Sequence, residues 1–276
     1  MGVRVSALWL AVLCVVGVAA SGRVVINEVG WAGTAASGYD EWIELYNDSD
    51  TPVDLAGWVL AIGEREIPLA GTIPAHGFFL LERTDDSTVP GIAADLIYKG
   101  AMANSGAVLR LVGPGGAVVD TANLGAPEGW WAGDAGLRAS MERISPGIPD
   151  GPVAWRTAPE GEATDAAGNR IYGTPGAGNA AAAASLPVSL AVPPGPLTGT
   201  VTISWEVEGN VEGLDVKLFV LAADGAWTTV AEGLPPMGAY RLDTGAFPNG
   251  AVLIALGAFD AGGPRGGAAV AGEIAN

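Results

Sequence analysis

Seven carboxylates crowd between residues 28 and 54: Glu28, Asp40, Glu41, Glu44, Asp48, Asp50 and Asp54. Acids at this density could do two kinds of chemistry. With backbone carbonyls they could hold Ca²⁺, and two of them, suitably spaced, could carry glycoside hydrolysis. Asp48-x-Asp50 opens like a calcium loop, so Asp48, Asp50 and Asp54 are the candidate ligands, and calcium is the one cofactor considered. Pro52 and Val53 interrupt that pattern, and no Gly or terminal Glu follows in register. The simpler expectation is structural. Asp48 and Asp50 would cap a turn, and whichever of Asn27 and Glu28 faces inward would be a buried hydrogen-bond partner.

His76 is the single histidine, so a Ser-His-Asp triad would have to use it and a multi-histidine metal site is ruled out by count. Its setting, Ile73-Pro74-Ala75-His76-Gly77, reads as a solvated turn. No phosphate-binding loop, dinucleotide fingerprint, nucleophile elbow or HExxH is present, and the Gly-x-Gly pairs at 113 and 176 lack a strand-to-helix context. The candidate binding residues are aromatic. Trp130 and Trp131 lie in a Gly-rich loop with Glu128 and Asp134, where exposed rings could stack on sugars or anchor a protein interface. The bland alternative folds both rings back as a lid over the end of the domain. Trp42 and Tyr46 are expected on the outer face of a strand whose other face, Ile43 and Leu45, points into a core.

The elements that would position these groups are strands. Residues 24–31 and 41–46 alternate and are rich in β-branched and aromatic residues. Asn47-Asp48-Ser49-Asp50 is a turn cluster, after which Val53 and Leu55 resume a strand and Trp58, Leu60 and Ile62 line one face. Short strands follow at 67–69, 78–81 and 96–98. Residues 108–112 and 117–120, joined by Gly113-Pro114-Gly115-Gly116, make the clearest hairpin. No stretch has convincing helical periodicity, and the alanines at 180–184 read as linker. Beyond it, segments 201–205, 214–221, 226–230, 240–244 and 252–256 repeat the strand grammar of a second small sandwich, with a weak last strand near 268–274.

Ile26-Asn27-Glu28-Val29, Glu41-Trp42-Ile43-Glu44-Leu45-Tyr46-Asn47 and Val53-Asp54-Leu55-Ala56-Gly57-Trp58 resemble successive blocks of the lamin-tail domain. So do Ile73-Pro74-Ala75, Asn104-Ser105-Gly106 and Ser140-Met141-Glu142-Arg143. The closing block, Trp155 and then Gly173-Thr174-Pro175-Gly176-Ala177-Gly178-Asn179, is similar to the way bacterial members end. The resemblance implies an immunoglobulin-like β-sandwich on an exported protein, a role in binding or attachment, and no catalytic residues. The later strands resemble, more loosely, immunoglobulin-like or fibronectin type III-like modules. Segments 125–136 and 146–169 are long, irregular and rich in Gly and Pro.

Compartment and partners follow from the ends and the charge. Arg4, the apolar run 5–20 and Val18-Ala19-Ala20 have the layout of a secretory signal cleaved before Ser21, with an uncleaved anchor as the alternative. The lone cysteine, Cys14, leaves with it, so disulfides and thiolate metal sites are excluded from the mature chain. Stability must then come from apolar cores, for which 49% hydrophobic residues and nine tryptophans suffice. A net charge of −17, with only Lys99 and Lys217 as lysines and no basic cluster, disfavours nucleic acid. The membrane is a partner only through an uncleaved signal.

The expectation is therefore an all-β chain of two immunoglobulin-like β-sandwich domains joined by a short Ala-rich linker. The signal would span 1–20, the lamin-tail-like sandwich 23–179, the linker 180–187 and the second sandwich 188–276. The function expected is non-enzymatic: binding to a protein or glycan of the cell envelope or extracellular matrix, secreted or at the cell surface. A carboxylate-based extracellular hydrolase and a structural accessory subunit of an envelope enzyme are the alternatives.

Overall fold

The computed structural model describes residues 24–276, so the signal segment and Cys14 lie outside the described residues. The first sandwich contains β1 (Val24–Gly30), β2 (Trp42–Asn47), β3 (Val53–Asp54), β4 (Val59–Ile62), β5 (Arg65–Pro68), β6 (Thr72–Ile73), β7 (Phe78–Arg83), β8 (Leu96–Tyr98), β9 (Leu109–Val112), β10 (Val118–Ala122), β11 (Met141–Arg143) and β12 (Trp155–Thr157). One sheet runs β12-β11-β1-β2-β7-β8 and the other β10-β9-β4-β5, with β3-β6 as a separate pair. All pairs are antiparallel except β7 with β8.

Between the sheets lies the main core. Val24, Ile26 and Val29 enter it from β1, Ile43 and Leu45 from β2, Leu60 and Ile62 from β4, and Leu109 and Leu111 from β9. That is the period-2 face the sequence implies, except in β1, where a bulge after Ile26 moves the inward position to Val29. Edge closure between the two sheets is polar. The Arg143 guanidinium, fully buried, pairs with Asp120 of β10 at 2.7 Å and donates to the carbonyls of Ile26 and Ile148. Asp120 in turn accepts the Ile26 N–H at 2.8 Å.

The second sandwich contains β13 (Val188–Ala191), β14 (Thr200–Val207), β15 (Asp215–Leu221), β16 (Trp227–Leu234), β17 (Met237–Asp243), β18 (Gly250–Asp260) and β19 (Gly263–Ile274), arranged as sheets β13-β14-β17 and β16-β15-β18-β19. Its core takes Ile203, Trp205, Leu218, Val220, Ile254 and Leu256 among others. The fold is thus two immunoglobulin-like β-sandwiches. Two details of the sequence reading need correction. The alanines after Asn179 form one helical turn, α1 (Ala180–Ala183), with Ala181 buried. The last strand is not weak: β19 pairs with β18 along its whole length.

The small residues that made β19 look weak have a packing reason. Its backbone lies flush on the first sandwich and the linker, so a β-carbon at Gly266 would sit 2.5 Å from the Leu186 carbonyl oxygen, and one at Gly267 2.8 Å from that of Val153. Thr157 N–H donates to Gly262 O and Leu186 N–H to Arg265 O across the same junction. Arg156 grips Asp260 through both carboxylate oxygens, at 2.6 and 2.9 Å. Phe219 and Ala255 belong to the first core, with Trp227 and Phe259 packed against it. Among the described residues no helix is long and apolar enough to cross a membrane.

Candidate binding surface

At one end of the first sandwich two indoles stack, and a third, Trp131, follows them in the chain. Trp31 follows β1, and Trp130 and Trp131 come from the loop after β10. Trp31 and Trp130 stack with centroids 5.7 Å apart and planes inclined by 5°. Each ring is tethered by its N–H, Trp31 to Ala132 O at 3.0 Å and Trp130 to Ala103 O at 3.0 Å. Asn123 organises the loop beneath them. In a left-handed conformation (φ 67°), its amide donates to Gly129 O and Ala107 O while its oxygen accepts the Trp131 N–H. Asp150 holds Asn123 and Leu124 by their backbone N–H groups and accepts a hydrogen bond from the Trp155 indole N–H.

Trp130 and Trp131 are half-buried, so the two sequence alternatives are each partly met: the rings fold back onto the core rim and still present surface. Leu124, whose carbonyl accepts the Trp131 indole N–H, is exposed beside them. Leu137 and Tyr39 are exposed elsewhere on this sandwich, Tyr39 at 69% with Arg83 5.1 Å from its ring centroid. Such a surface can supply stacking and apolar contact from rings whose ordering cost has already been met by folding. Sequence reasoning missed Trp31, which stands at the end of a strand and carries no loop signature of its own.

Trp42 is a correction. It does lie on the outer face of β2, but it is 1% exposed and cannot meet a ligand. Val89 and Ile171, from segments outside the sheet, cover it and form with Trp42 and Leu80 of β7 a small separate core. Tyr46 remains half-exposed beside Phe78, at a centroid distance of 5.1 Å, with its hydroxyl 3.5 Å from His76 Nδ1. Burial, and then the charge of Asp48, push its phenol upward.

The acids divide into three sets. Asp50 bonds His76 at 2.9 Å with both side chains largely exposed, Asp54 caps the Ala56 N–H, and Asp48 is exposed. Among the described residues no three acids or histidines group as a metal would require, so Asp48, Asp50 and Asp54 are not brought together as ligands. Asp40 accepts from Thr34, and Glu41 from Arg83 and the Met102 N–H, both away from Glu44. Glu28 and Glu44 do converge, joined by Glu142 of β11, which the sequence reading did not single out. The register pairs Glu28 with Glu44 on one side and with Glu142 on the other, so all three point to the outer face. A bulge between Ile26 and Glu28 sends Asn27 there too, so neither Asn27 nor Glu28 faces the inner core.

What covers these acids is the closing segment, residues 173–181. Glu28 accepts from Thr174 N–H, Thr174 Oγ1 and Ser140 Oγ. Glu44 accepts from Gly176 N–H and Asn27 Nδ2, and Glu142 from Ala181 N–H at 2.7 Å. Asn27 and Asn179 bond reciprocally. The approach is close enough that a β-carbon at Gly173 would fall 2.6 Å from Glu28 Oε1 and 2.9 Å from the Trp42 ring. Burial drives all three carboxyls upward, Glu44 to about 8 and Glu142 to about 7. Outside this layer lies an open cleft of about 680 Å³, whose lining includes Ile92, Glu160, Glu162, Arg170, Thr174 and Pro175.

Against known proteins, the family model of the Lamin Tail Domain matches residues 18–126, which takes in β1 to β10. The first sandwich is therefore similar to that domain in sequence as well as architecture. No curated protein matches. Among solved structures, dimeric latent PorU from Porphyromonas gingivalis aligns over 85% of this chain at 11% identity and a TM-score of 0.27. The chain spans 18% of that protein's length. The three N-terminal domains of the bacteriophage RB49 outer capsid protein Hoc align over 92% of this chain and 99% of theirs, at 7% identity and a TM-score of 0.18. Both alignments are too loose to bear on function.

Proposed function

We propose that this chain is a non-enzymatic exported binding or attachment protein, acting at the cell surface or extracellularly on a protein or glycan of the envelope or matrix. The observation that carries the reading is the tethered Trp31–Trp130 stack, with half-buried Trp131 next in the chain and bonded to exposed Leu124. Aromatic anchors held rigid in this way are the usual source of binding energy at an interface. The second sandwich, immunoglobulin-like or fibronectin type III-like, serves as a companion module that fixes the first in orientation. Against hydrolysis stands the occupation of the convergent acids, whose oxygens are taken up by backbone N–H groups.

The test is a pull-down of the mature protein against its own envelope fraction and a panel of glycans, with and without chelator. Trp130→Ala and Trp131→Ala should each weaken capture by roughly 2 kcal/mol, about thirtyfold, as hot-spot truncations do. Unchanged capture by both variants would sink the proposal for this surface. A chelator effect would reopen Asp48, Asp50 and Asp54.

A further inference from the structure

The three buried carboxylates do more than fill a layer, because two of them meet at the single hydroxyl of Thr174, and both can be hydrogen-bonded to it only when one carries a proton. Thr174 Oγ1 lies 3.0 Å from Glu28 Oε2 and 3.2 Å from Glu142 Oε1, with the Asn179 amide oxygen farther off at 3.4 Å. A hydroxyl has one proton to give. If it donates to Glu28, the Glu142 contact is a hydrogen bond only when Glu142 donates to Thr174, and the converse holds if it donates to Glu142. Two ionised carboxylates would instead leave the Thr174 oxygen and one carboxylate oxygen in buried contact with no proton between them.

We propose that Glu28, Glu142 and Glu44 form a proton-held latch, closing residues 173–181 over the first sandwich when protonated and releasing them when ionised. The latched segment is one wall of the outer cleft and runs directly into α1, whose Ala181 N–H bonds Glu142. Release therefore loosens the cleft wall and the attachment of the linker together.

Burial and the neighbouring carboxylates act in this direction, while the N–H donors of Thr174, Gly176 and Ala181 and the Arg156 cation act against it. Glu142 and Glu44 each raise Glu28, while Glu142 and Asp95 raise Glu44. The cation acting on Glu142 is Arg156, which is already bonded to Asp260 of the second sandwich. The carboxyls are held above their unfolded values, so the folded chain binds more protons than the unfolded chain in that interval. The latch's stabilisation is complete below the ordinary carboxylate range and is lost as pH rises through about 7 for Glu142 and about 8 for Glu44.

Amide hydrogen exchange of the mature protein, corrected for the intrinsic pH dependence of exchange, reads the latch directly. Protection at Thr174, Gly176 and Ala181 should fall at least about tenfold between about pH 6 and about pH 9, the equivalent of one unit of pKa shift. Protection in the β14–β17 pair of the second sandwich should stay level and serves as the internal control. Glu142→Gln makes the donated proton permanent, since its amide can donate to Thr174 while its oxygen still accepts from Ala181, and should reduce the fall severalfold. A flat wild-type profile, or a variant that falls as steeply as wild type, overturns the proposal. Should the variant fail to fold, the infrared carbonyl band of a protonated carboxylic acid in the wild-type protein decides. Its presence at about pH 6 and loss by about pH 9 supports the latch, and its absence at about pH 6 overturns it.

Discussion

The two sandwiches solve the same problem differently. In the second, the three-stranded sheet has one face in the core and one in water: along β14 the pattern runs Ile203, Trp205 and Val207 inward, with Thr202, Ser204 and Glu206 exposed. In the first, β1 and β2 are buried on both faces, although every second residue of β2 is polar or aromatic. A bare outer face needs only solubility. A covered one must satisfy every polar group it carries, because a buried donor or acceptor without a partner costs about 1–3 kcal/mol. The first sandwich meets that demand with its own chain, by laying residues 173–181 across the outer acids. The four-stranded sheet of the second meets it with the neighbouring domain and with glycine and alanine in place of polar side chains.

The largest expected effect follows from how deeply the first sandwich buries its charge. Arg143→Met keeps most of the volume but removes the guanidinium from the buried Asp120 carboxylate, whose side chain is 2% exposed, and removes the donors to Ile26 and Ile148. Breaking a buried pair on one side costs about 3–5 kcal/mol. Urea denaturation should show a loss of that size. A loss under about 1 kcal/mol would mean that burial does not separate this pair from a surface pair, and the comparison would fail at its strongest point.

Next comes the junction. Gly266→Val places a side chain where the Leu186 carbonyl oxygen already lies 2.5 Å from the β-carbon position and the Val188 side chain 3.0 Å from it, leaving little room to yield. Overpacking of this kind costs about 1–3 kcal/mol. The expected calorimetric change is from one unfolding transition to two, the second sandwich melting on its own. A single transition at an unchanged temperature would show that β19 is not what couples the domains.

Which of these features the sequence displayed depends on the range of the interactions involved. Strand alternation is local, so Ile43, Leu45, Leu60 and Ile62 were legible as core, as was the hairpin around residues 113–116. The covering layer was not. Glu44 and Gly176 are 132 positions apart, and nothing near Trp42 says that a distant Gly-rich segment will lie on it. One local signal existed for the second sandwich: Val252-Leu253-Ile254-Ala255-Leu256 is apolar without alternation, as befits a strand buried on both faces, and Ala255 packs on the first core. The glycines of β19 read as weakness because the missing side chains showed while the neighbouring backbone that requires their absence did not. At the candidate surface, Trp130 and Trp131 stood out by composition, whereas Trp31 joined them only through the fold.

The smallest effect belongs to the exposed charges of the second sandwich. Lys217 lies 3.1 Å from Asp215 and 3.3 Å from Glu232, near the Phe259 ring. The bond to Asp215 holds the ammonium above its ordinary value, and the Gly233 N–H followed by Lys217 holds Asp215 below its own. Geometrically this triad looks as complete as the Arg143 site. Its acids are 43% and 60% exposed, however, so water already solvates what the lysine would otherwise neutralise. Lys217→Ala should therefore cost about 0–1 kcal/mol, with most of that vanishing in about 1 M salt, where screening acts within a few ångströms. The Arg143→Met loss, lodged where salt does not reach, should survive the same salt. If both losses respond alike, solvent reaches the interior of the first sandwich, and its covering layer does not seal the sheet.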